Sequence, residues 1–448
     1  MVTIKLLDNN KISPERMASH AGKICYKSKM TAIEIEELLD VQKQLFKPGH
    51  HTTFEHQLFN FETDGISISD VTFGLHLLHP FYDSDQRSGR YSKMFDTPDF
   101  DEIREYIVFY YGDKCVDEIM DYIKYGYSLF ANNKQDAIDE ARILLNEERK
   151  DDQEYVSMVV EKMAQEQLRN VVSVAFDTGL LYSIDLITLV SMYEAPLNPV
   201  MKKITELMRD EVLKVFPEIS YIFREEKREY DYESFALEDG DRVLHSPYSK
   251  IINISQKDGL VIPRIDDMMP VDKLKYKPKY ANNNLIDIST IVRVSIATMG
   301  QDQRHRMIRR SNPKFTGDFY SPEIITRLSI KKEIKELMRM WKSFYGRIDG
   351  GLFQLIAPYG AMVEYKKSAD INTFAHEQVK RDCWCPQEEI YNLNRLLREE
   401  LLSDPQNADL IELLLPPCMK EGGRCFEGDR WCRRKKMDKN NPCPPRKI

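Results

Sequence analysis

Two apolar segments in opposite halves of the chain limit what it can fold into. The segment HQLFNFETDGISIS (56–69) alternates like a β-strand and is followed by the helical pattern VTFGLHLL. The segment LIDISTIVRVSIATMG (285–300) leads into the polar motif QDQRHRMIRRSNP. In both halves the order is an apolar strand or helix, a polar motif and then a long helical tract. This order predicts a mixed α/β fold that arose by a diverged internal duplication.

Apolar residues at helical spacing predict long helices in both halves. Beyond the opening segments, this spacing covers 30–46, 140–150, 156–176, 199–216, 330–348 and 388–402. Residues 218–279 are rich in charge, Pro and Tyr and predict an irregular connector. We therefore expect four regions: an N-terminal repeat 1–225, a connector with insertions 226–280, a C-terminal repeat 281–403 and a Cys-rich basic tail 404–448.

Composition narrows the class of protein. With 448 residues, of which 42% are hydrophobic and 30% charged, the chain is long enough for two domains. The net charge of −8 argues against general binding to nucleic acid. Since no run approaches 18 apolar residues and the N-terminus has no apolar signal core, we expect a cytoplasmic protein with no membrane partner.

The cysteines are unevenly placed. Of the eight, only Cys25 and Cys115 precede position 383. Without a secretory signal, such a cluster favours metal or redox chemistry over structural disulfides. Four thiolates of the tail could hold one zinc ion tetrahedrally, although free thiols in a loose extension fit as well. The candidate zinc ligands are Cys418, Cys425, Cys432 and Cys443.

Two short segments of the N-terminal half could contact a ligand. GHHTTFEH (49–56) has three histidines and a glutamate, which could bind a metal or cap a helix-to-strand junction. QRSGRYSK (86–93) is a turn of small residues flanked by arginines. Such a turn can present backbone N–H groups and guanidinium groups to a phosphate or carboxylate, or it can be a solvated basic turn.

Two further segments lie in the C-terminal half. QDQRHR (301–306), with Arg309 and Arg310 beyond it, gathers basic groups directly after an apolar stretch. Such groups need anionic partners unless they form a solvated helix face. On a helix, Gln301, Arg304 and His305 share one face. RDCWCPQEEI (381–390) contains an unusual Cys-Trp-Cys that could bind metal or serve in packing.

Together these segments resemble the flavin-dependent thymidylate synthases. The family signature is a GHxTxFEH segment, a Gln-x-x-Arg-His-Arg motif, a Ser-x-Arg-Tyr-Ser turn and an arginine six residues before Gln-x-Glu-Ile. The resemblance implies conversion of dUMP to dTMP with FAD, methylenetetrahydrofolate and NADPH, and without a cysteine nucleophile. It also implies that the fold is two diverged copies of the family fold, α/β (α+β) with a mixed sheet and long helices, plus the tail.

The signature is divided between the halves in a complementary way. The N-terminal half keeps GHHTTFEH, the Ser88 turn and Arg169, but has Leu75 and Leu78-His79-Pro80 where the Gln-x-x-Arg-His-Arg motif is expected. The C-terminal half keeps that motif and Arg381 with 387–390, but lacks the serine-arginine turn and has Gln354 in place of the earlier arginine. The resemblance therefore implies one complete composite site per chain.

The resemblance also assigns site residues. Arg381 is expected to be catalytic, because a cation beside N3 and O2 of uracil stabilises the N3 anion that activates C5. The expected dUMP contacts are Gln301, Arg304, Arg381, Gln86, Ser88, Gly89, Arg90 and Arg169. The expected FAD contacts are His50, Thr52, Arg304, His305, Arg306, Asn372 and His376.

Two alternative functions stay open on the sequence. An enzyme of the same fold could hydroxymethylate dUMP or methylate UMP or another pyrimidine nucleotide, since Gln86 stands where the family has a glutamate. A non-catalytic nucleic-acid-binding protein using RHRMIRR and the basic tail is disfavoured by the acidic balance. Family members form homotetramers, so a tandem chain is expected to form a homodimer.

Overall fold

The computed structural model of the protein describes most of the chain and divides it into two compact units. Unit 1 comprises Met1–Val116, Ala175–Glu233 and Asp349–Leu355, and unit 2 comprises Asp117–Val174, Ser234–Ile348 and Ile356–Ile448. The described residues are 1–7, 12–24, 39–77, 81–90, 92, 95–149, 152–224, 236–255, 258–262, 277–420, 425, 428, 432 and 444–448.

Unit 1 contains a four-stranded antiparallel sheet in the order β1-β2-β4-β3. Its strands are β1 (Thr3–Leu6), β2 (Leu58–Ser67), β3 (Tyr82–Gln86) and β4 (Asp177–Asp185). Its helices are α1 (Pro14–Ile24), α2 (Ile68–Asp70), α3 (Phe100–Tyr111), α7 (Leu186–Glu194), α8 (Pro199–Val215) and α12 (Gly350–Leu355). Short π-helical turns span Gln42–Phe46 and Val71–Leu75, and 3₁₀ turns span His51–Phe54 and Pro217–Ile222.

Unit 2 contains a six-stranded sheet in the order β5-β9-β10-β7-β6, with β8 also pairing β10. Its strands are β5 (Val243–Leu244), β6 (Tyr248–Ile254), β7 (Asp287–Ser295), β8 (Arg309–Arg310), β9 (Lys314–Tyr320) and β10 (Ala361–Asp370). Its helices are α4 (Val116–Asn132), α5 (Lys134–Glu148), α6 (Gln153–Leu168), α9 (Ile296–Asp302), α10 (Glu323–Arg327), α11 (Lys331–Ser343), α13 (Ile371–Arg381), α14 (Glu388–Ser403) and α15 (Ile411–Leu414). The 3₁₀ turns are Arg169–Val171, Pro278–Leu285, Pro405–Leu410 and Pro417–Met419.

The two sheets share one strand order. The order β1-β2-β4-β3 of unit 1 reappears as β6-β7-β10-β9 in unit 2. In unit 1 the first residue of β2 pairs with Asp185, and in unit 2 the first residue of β7 pairs with Asp370. Each of these aspartates caps the following helix by accepting a backbone N–H bond three residues on, at 2.9 Å. The predicted mixed α/β fold is confirmed, and the parallel pair β5–β9 makes the second sheet mixed.

The boundaries of the two compact units differ from those of the two predicted repeats. Helix α6 and Arg169 belong to the N-terminal repeat by sequence but lie in unit 2, while α12 with Gln354 belongs to the C-terminal repeat and lies in unit 1. Residues 172–174 and 357–359 pair reciprocally within unit 2. The Val174 N–H donates to the Ala357 carbonyl and the Tyr359 N–H to the Val172 carbonyl, both at 2.8 Å.

This pairing corrects one predicted helix. The helical pattern 156–176 was expected to run through, but α6 ends at Leu168 and a 3₁₀ turn follows. The β-branched run after Asn170 is extended instead, because its backbone groups pair with residues 357–359. Tertiary pairing therefore overrides local helical periodicity here.

Other predictions vary in outcome. The patterns 199–216, 330–348 and 388–402 correspond to α8, α11 and α14. The predicted irregular connector contains β5 and β6, because the alternating YSKIINI finds a partner in β7. Most of the 30–46 pattern lies outside the described residues, and its end is a π-helical turn. No helix of the described part of the chain is long and apolar enough to cross a membrane.

Candidate functional site

The predicted C-terminal motifs meet in unit 2 at the ends of three helices. Gln301 lies in the last turn of α9, a helix that begins where Ser295 accepts the N–H of Thr298. Arg381 is the last residue of α13, and Gln387 is the N-cap of α14. The fold therefore brings side chains from distant parts of the sequence to one place.

Gln387 is the centre of a buried hydrogen-bond group. Its Oε1 accepts bonds from Gln301 Nε2 at 2.7 Å and from Arg169 Nη2 at 3.2 Å. Its backbone N–H donates to Gln301 Oε1 at 3.3 Å. Two predicted nucleotide contacts, Gln301 and Arg169, are thus held together by a third residue that was noted only as part of the family spacing. The Arg169 guanidinium also lies 4.9 Å from the Tyr359 ring centroid.

The Arg381 side chain is held by two residues of the 301–306 motif. Its Nη2 donates to the Gln301 carbonyl at 2.6 Å and its Nε to His305 Nε2 at 2.9 Å. Burial, with the nearby charges of Arg381 and His376, holds the pKa of His305 well below its usual value. His305 is therefore a neutral acceptor that orients Arg381, and its remaining ring proton is on Nδ1.

Three other predicted flavin contacts, Arg304, Arg306 and His376, are more accessible to solvent than His305. Arg304 is exposed, Arg306 and His376 are half-buried, and His376 lies edge-on to His305 with ring centroids 5.6 Å apart. Asn372 is buried and its amide serves the scaffold. Its Nδ2 donates to Tyr280 O and Asn284 Oδ1, and its Oδ1 accepts from Asn283. A flavin contact by Asn372 stays a prediction and would compete with these bonds.

A buried ionic network lies behind the motif. It consists of Asp302, Arg310, Lys367 and Glu377, joined by the hydroxyl of Tyr365. Arg310 Nε donates to Asp302 Oδ2 at 2.6 Å, and Lys367 Nζ lies 2.9 Å from Asp302 Oδ1 and 2.6 Å from Glu377 Oε1. Although burial opposes ionisation, Arg310 and Lys367 hold the pKa of Asp302 well below its usual value.

The network fixes the turn 301–306 in two ways. Arg310 also donates to the carbonyls of Asp302, His305 and Ile308, so it clamps the turn that carries residues 304–306. Lys367 joins Asp302, at the end of α9, to Glu377 on α13, the helix that ends at Arg381. The sequence analysis noted that Arg310 needs an anionic partner, but it missed Lys367 and Glu377. A signal was available, because Lys367 lies on the inward, otherwise apolar face of β10, where a lysine needs a partner.

Two adjacent carboxyl groups at the start of α14 are also buried. Glu389 accepts the Ser295 N–H at 2.7 Å and the Thr298 hydroxyl at 2.7 Å. Burial raises its pKa to about 7, although these hydrogen bonds oppose the change. Burial, with the charges of Glu166 and Glu389, raises the pKa of Glu388 to about 8.

The remaining predicted nucleotide contacts lie in unit 1 on the turn after β3. The Ser92 N–H and hydroxyl both bond the Ser88 carbonyl, at 2.9 and 2.8 Å, and the Arg90 N–H donates to Ser88 Oγ at 3.3 Å. Gly89 is buried, whereas Gln86 and Arg90 are half-buried. Tyr91 and Lys93 lie outside the described residues. The turn is thus ordered by its own serines, and its contact with nucleotide stays a prediction.

The GHHTTFEH segment forms the 3₁₀ turn His51–Phe54 in unit 1. Gly49 has a φ of 91°, which lets the chain reverse before the turn. His50 and Thr52 are exposed, whereas His51 bonds the Phe46 carbonyl at 3.2 Å and packs on its ring. The exposed pair is the one predicted to contact flavin.

The zinc prediction has no support in the described residues. Within them, no group of three or more His, Cys, Asp or Glu side chains is arranged to hold a metal ion. Cys418, Cys425 and Cys432 are half-buried, and Cys443 lies outside the described residues.

Comparison with known proteins bears on this site. Residues 5–218 match the family model described as thymidylate synthase complementing protein. These residues belong to the flavin-dependent thymidylate synthase family. The resemblance inferred from the motifs is therefore confirmed for the N-terminal half of the chain, in a family of flavin-dependent, dUMP-methylating enzymes. No curated relative matches the chain.

Solved structures of similar proteins match about half of the chain. Two are crystal structures of thymidylate synthase X from Helicobacter pylori with FAD and dUMP, each 17% identical with a TM-score of 0.30; they cover 50% and 49% of this chain and 98% and 97% of their own. A third is a UMP/dUMP methylase, PolB, from Streptomyces cacaoi bound with 5-Br dUMP. It is 17% identical, covers 50% of this chain and 94% of its own, and has a TM-score of 0.30.

The buried network predicts a large loss of stability on removing its lysine. Lys367→Met leaves Asp302 and Glu377 without a shared counter-charge, so the free energy of unfolding should fall by about 3–5 kcal/mol. Urea denaturation measures this. The neighbouring exposed Lys366 provides the matched control, since Lys366→Met should change stability by less than about 0.5 kcal/mol. Equal stabilities of the two variants would contradict the role of the network.

The raised pKa of Glu389 predicts that the free energy of unfolding depends on pH. Its pKa is raised on folding, so its contribution to stability is complete below pH 4.5 and is lost as the pH rises through about 7. Glu389→Gln removes this loss, and its stability relative to wild type should increase by about 3 kcal/mol between pH 4.5 and 8. Denaturant unfolding across this range measures the difference. Glu399→Gln, at a largely exposed position of the same helix, is the control. Parallel profiles for Glu389→Gln and wild type would refute the assignment.

Proposed function

We propose that the protein is a flavin-dependent enzyme that methylates dUMP at C5, with FAD as cofactor and methylenetetrahydrofolate and NADPH as co-substrates. The observation that carries the proposal is the convergence of Arg169, Gln301 and Arg381 in unit 2. Gln387 accepts bonds from Arg169 and Gln301, and the Gln301 carbonyl accepts from Arg381. These are the family-signature positions retained by opposite halves of the sequence. Their convergence supports the view that each half lost different signature residues and that the residues retained form one complete nucleotide site.

The donors of this set suit a nucleotide. Arg169 and Arg381 are two guanidinium groups whose orientation is already fixed by neighbouring residues, so little side-chain entropy is lost on binding an anion. Each charge-assisted hydrogen bond to a phosphate or a uracil anion contributes about 1.5–3 kcal/mol. We propose that the Ser88–Arg90 turn of unit 1 also supplies backbone and guanidinium donors for a nucleotide.

The residues around the turn also fit a flavin. A reduced isoalloxazine ring carries negative charge near N1 and O2, and a flavin dinucleotide carries a pyrophosphate. The exposed Arg304 and half-buried Arg306 supply cations, and the neutral His305 supplies an Nδ1–H donor without additional charge. We propose that these residues, with His376, hold FAD. For His50 and Thr52 of unit 1, a contact with flavin stays a separate prediction.

The chain's own contribution to the reaction is electrostatic. Attack by uracil C5 requires electron density from N3, and a guanidinium at N3 stabilises the N3 anion. We assign this role to Arg381, whose direction is fixed by the Gln301 carbonyl and by His305. Because His305 is neutral, it orients Arg381 without repelling it. When bound, FAD supplies the hydride and methylenetetrahydrofolate the carbon, so no cysteine is needed as a nucleophile.

This assignment predicts loss of turnover when Arg381 is removed. Arg381→Ala should reduce product formation by at least about a hundredfold while the bound flavin absorbance and the melting temperature stay close to wild type. Its neighbour Lys380, on the same helix, provides the control, and Lys380→Ala should retain activity. Near-wild-type turnover of Arg381→Ala would exclude the assignment.

The identity of the product requires a direct measurement. Purified protein should show a flavin absorption spectrum. With NADPH and methylenetetrahydrofolate it should increase the mass of dUMP by one CH₂ unit, because a methyl group replaces the hydrogen on C5. Mass spectrometry distinguishes this from hydroxymethylation, and a parallel reaction with UMP tests the other pyrimidine substrate. A protein that copurifies with no flavin and binds none would contradict the proposal.

A further inference from the structure

The segment 444–448, at the end of the predicted Cys-rich tail, is docked on unit 2. Arg446 and Ile448 are 3% and 2% exposed, although the sequence predicted a loose or metal-bound extension here. The Arg446 N–H donates to Asn392 Oδ1 at 3.0 Å and its carbonyl accepts from Asn392 Nδ2 at 2.8 Å. Tyr391 donates to the Pro444 carbonyl at 2.9 Å, and Gln167 to the Lys447 carbonyl at 2.7 Å. These bonds fix the backbone of the segment.

The docking point is the unexplained Cys-Trp-Cys motif. Two guanidinium groups lie over the Trp384 ring, those of Arg446 and Arg149, each 4.7 Å from its centroid. Arg446 also lies 5.2 Å from the ring centroid of Tyr391. Cation–π contacts of this kind are strongest where the cation is removed from water, as here. The tryptophan of the motif is thus a packing platform for the tail.

Arg446 also reaches the loop that carries Gln387. Its Nη1 donates to the Pro386 carbonyl at 2.9 Å, and its Nε donates to the main-chain oxygen of Ile448 at 2.9 Å. The Pro386 carbonyl and the Gln387 N–H belong to one planar peptide group. Arg446 holds the oxygen of that group, and Gln301 Oε1 holds its N–H. Because the group is rigid, fixing its oxygen also fixes the direction of its N–H.

We propose that the 444–448 segment is a strap for the candidate site and that Arg446 is a positioning residue for Gln387, and through it for Gln301 and Arg169. The structural part of this inference stands on the contacts of Arg446, whereas its effect on nucleotide rests on the proposed function. The strap extends the site to the tail, outside every motif of the family signature.

The test compares Arg446→Met with Lys447→Met. The Met side chain preserves apolar packing on Trp384 but cannot donate to Pro386. Lys447 is the matched control, because its side chain is 60% exposed and pairs with Glu323 at 3.9 Å rather than with the Pro386 peptide group. Its backbone carbonyl, which accepts from Gln167, is kept in the variant. Arg446→Met should weaken dUMP binding, measured by calorimetry, about tenfold to a hundredfold, and Lys447→Met should leave it unchanged. Hydrogen–deuterium exchange in 383–390 should rise in Arg446→Met alone.

A second variant removes the strap from its other side. Asn392→Ala loses both bonds to the Arg446 backbone and leaves Trp384 and Pro386 untouched, so it should also raise exchange in 383–390 and weaken dUMP binding. It keeps the test valid if Arg446→Met does not fold. If both variants fold and exchange in 383–390 is unchanged, the strap is refuted.

The two proposals can fail separately. If wild-type protein binds no dUMP, the proposed function fails, while the exchange measurement still decides the strap. If exchange rises in a variant that binds dUMP with wild-type affinity, the strap is structural and Arg446 is not a positioning residue.

Discussion

The buried pairing of Asp302 with Arg310 and Lys367 is the interaction on which the candidate site depends. A carboxylate with no exposure to water is tolerated only beside positive charge, and both cations here have a second task. Arg310 binds the carbonyls of the motif turn, and Lys367 connects that turn to α13 through Glu377. The charge balance of the core therefore also sets the positions of Gln301, His305 and Arg381.

The loop before α14 is also held by hydrogen bonds to side chains from other parts of the chain. The peptide group between Pro386 and Gln387 is bound at its oxygen by Arg446 and at its N–H by Gln301. Gln387 then presents one oxygen to both Gln301 and Arg169. A planar group held by a donor at its oxygen and by an acceptor at its N–H loses little freedom when a ligand binds, which favours a preorganised site.

The shared strand order of the two sheets suggests how such a site arose. A duplicated fold has two copies of every motif position, so each copy can lose residues that the other retains. Helix α6 with Arg169 lies in the unit of the second sheet, and α12 with Gln354 lies in the unit of the first. This exchange gives the N-terminal Arg169 to the C-terminal motif. In the other unit the corresponding residue is Gln354, in agreement with the proposal that one set of site residues was lost.

The sequence was sufficient to predict the mixed α/β class, the strands β2 and β7 and the helices α8, α11 and α14, because periodicity is a local property. Side-chain chemistry marked Gln301 and His305 as candidates, and the resemblance to the family added Arg169 and Arg381. The fold then showed that α6 ends at Leu168, that Lys367 supports the turn and that Arg446 holds Pro386. Each of these depends on a partner far away along the chain, and periodicity carries no information about such partners.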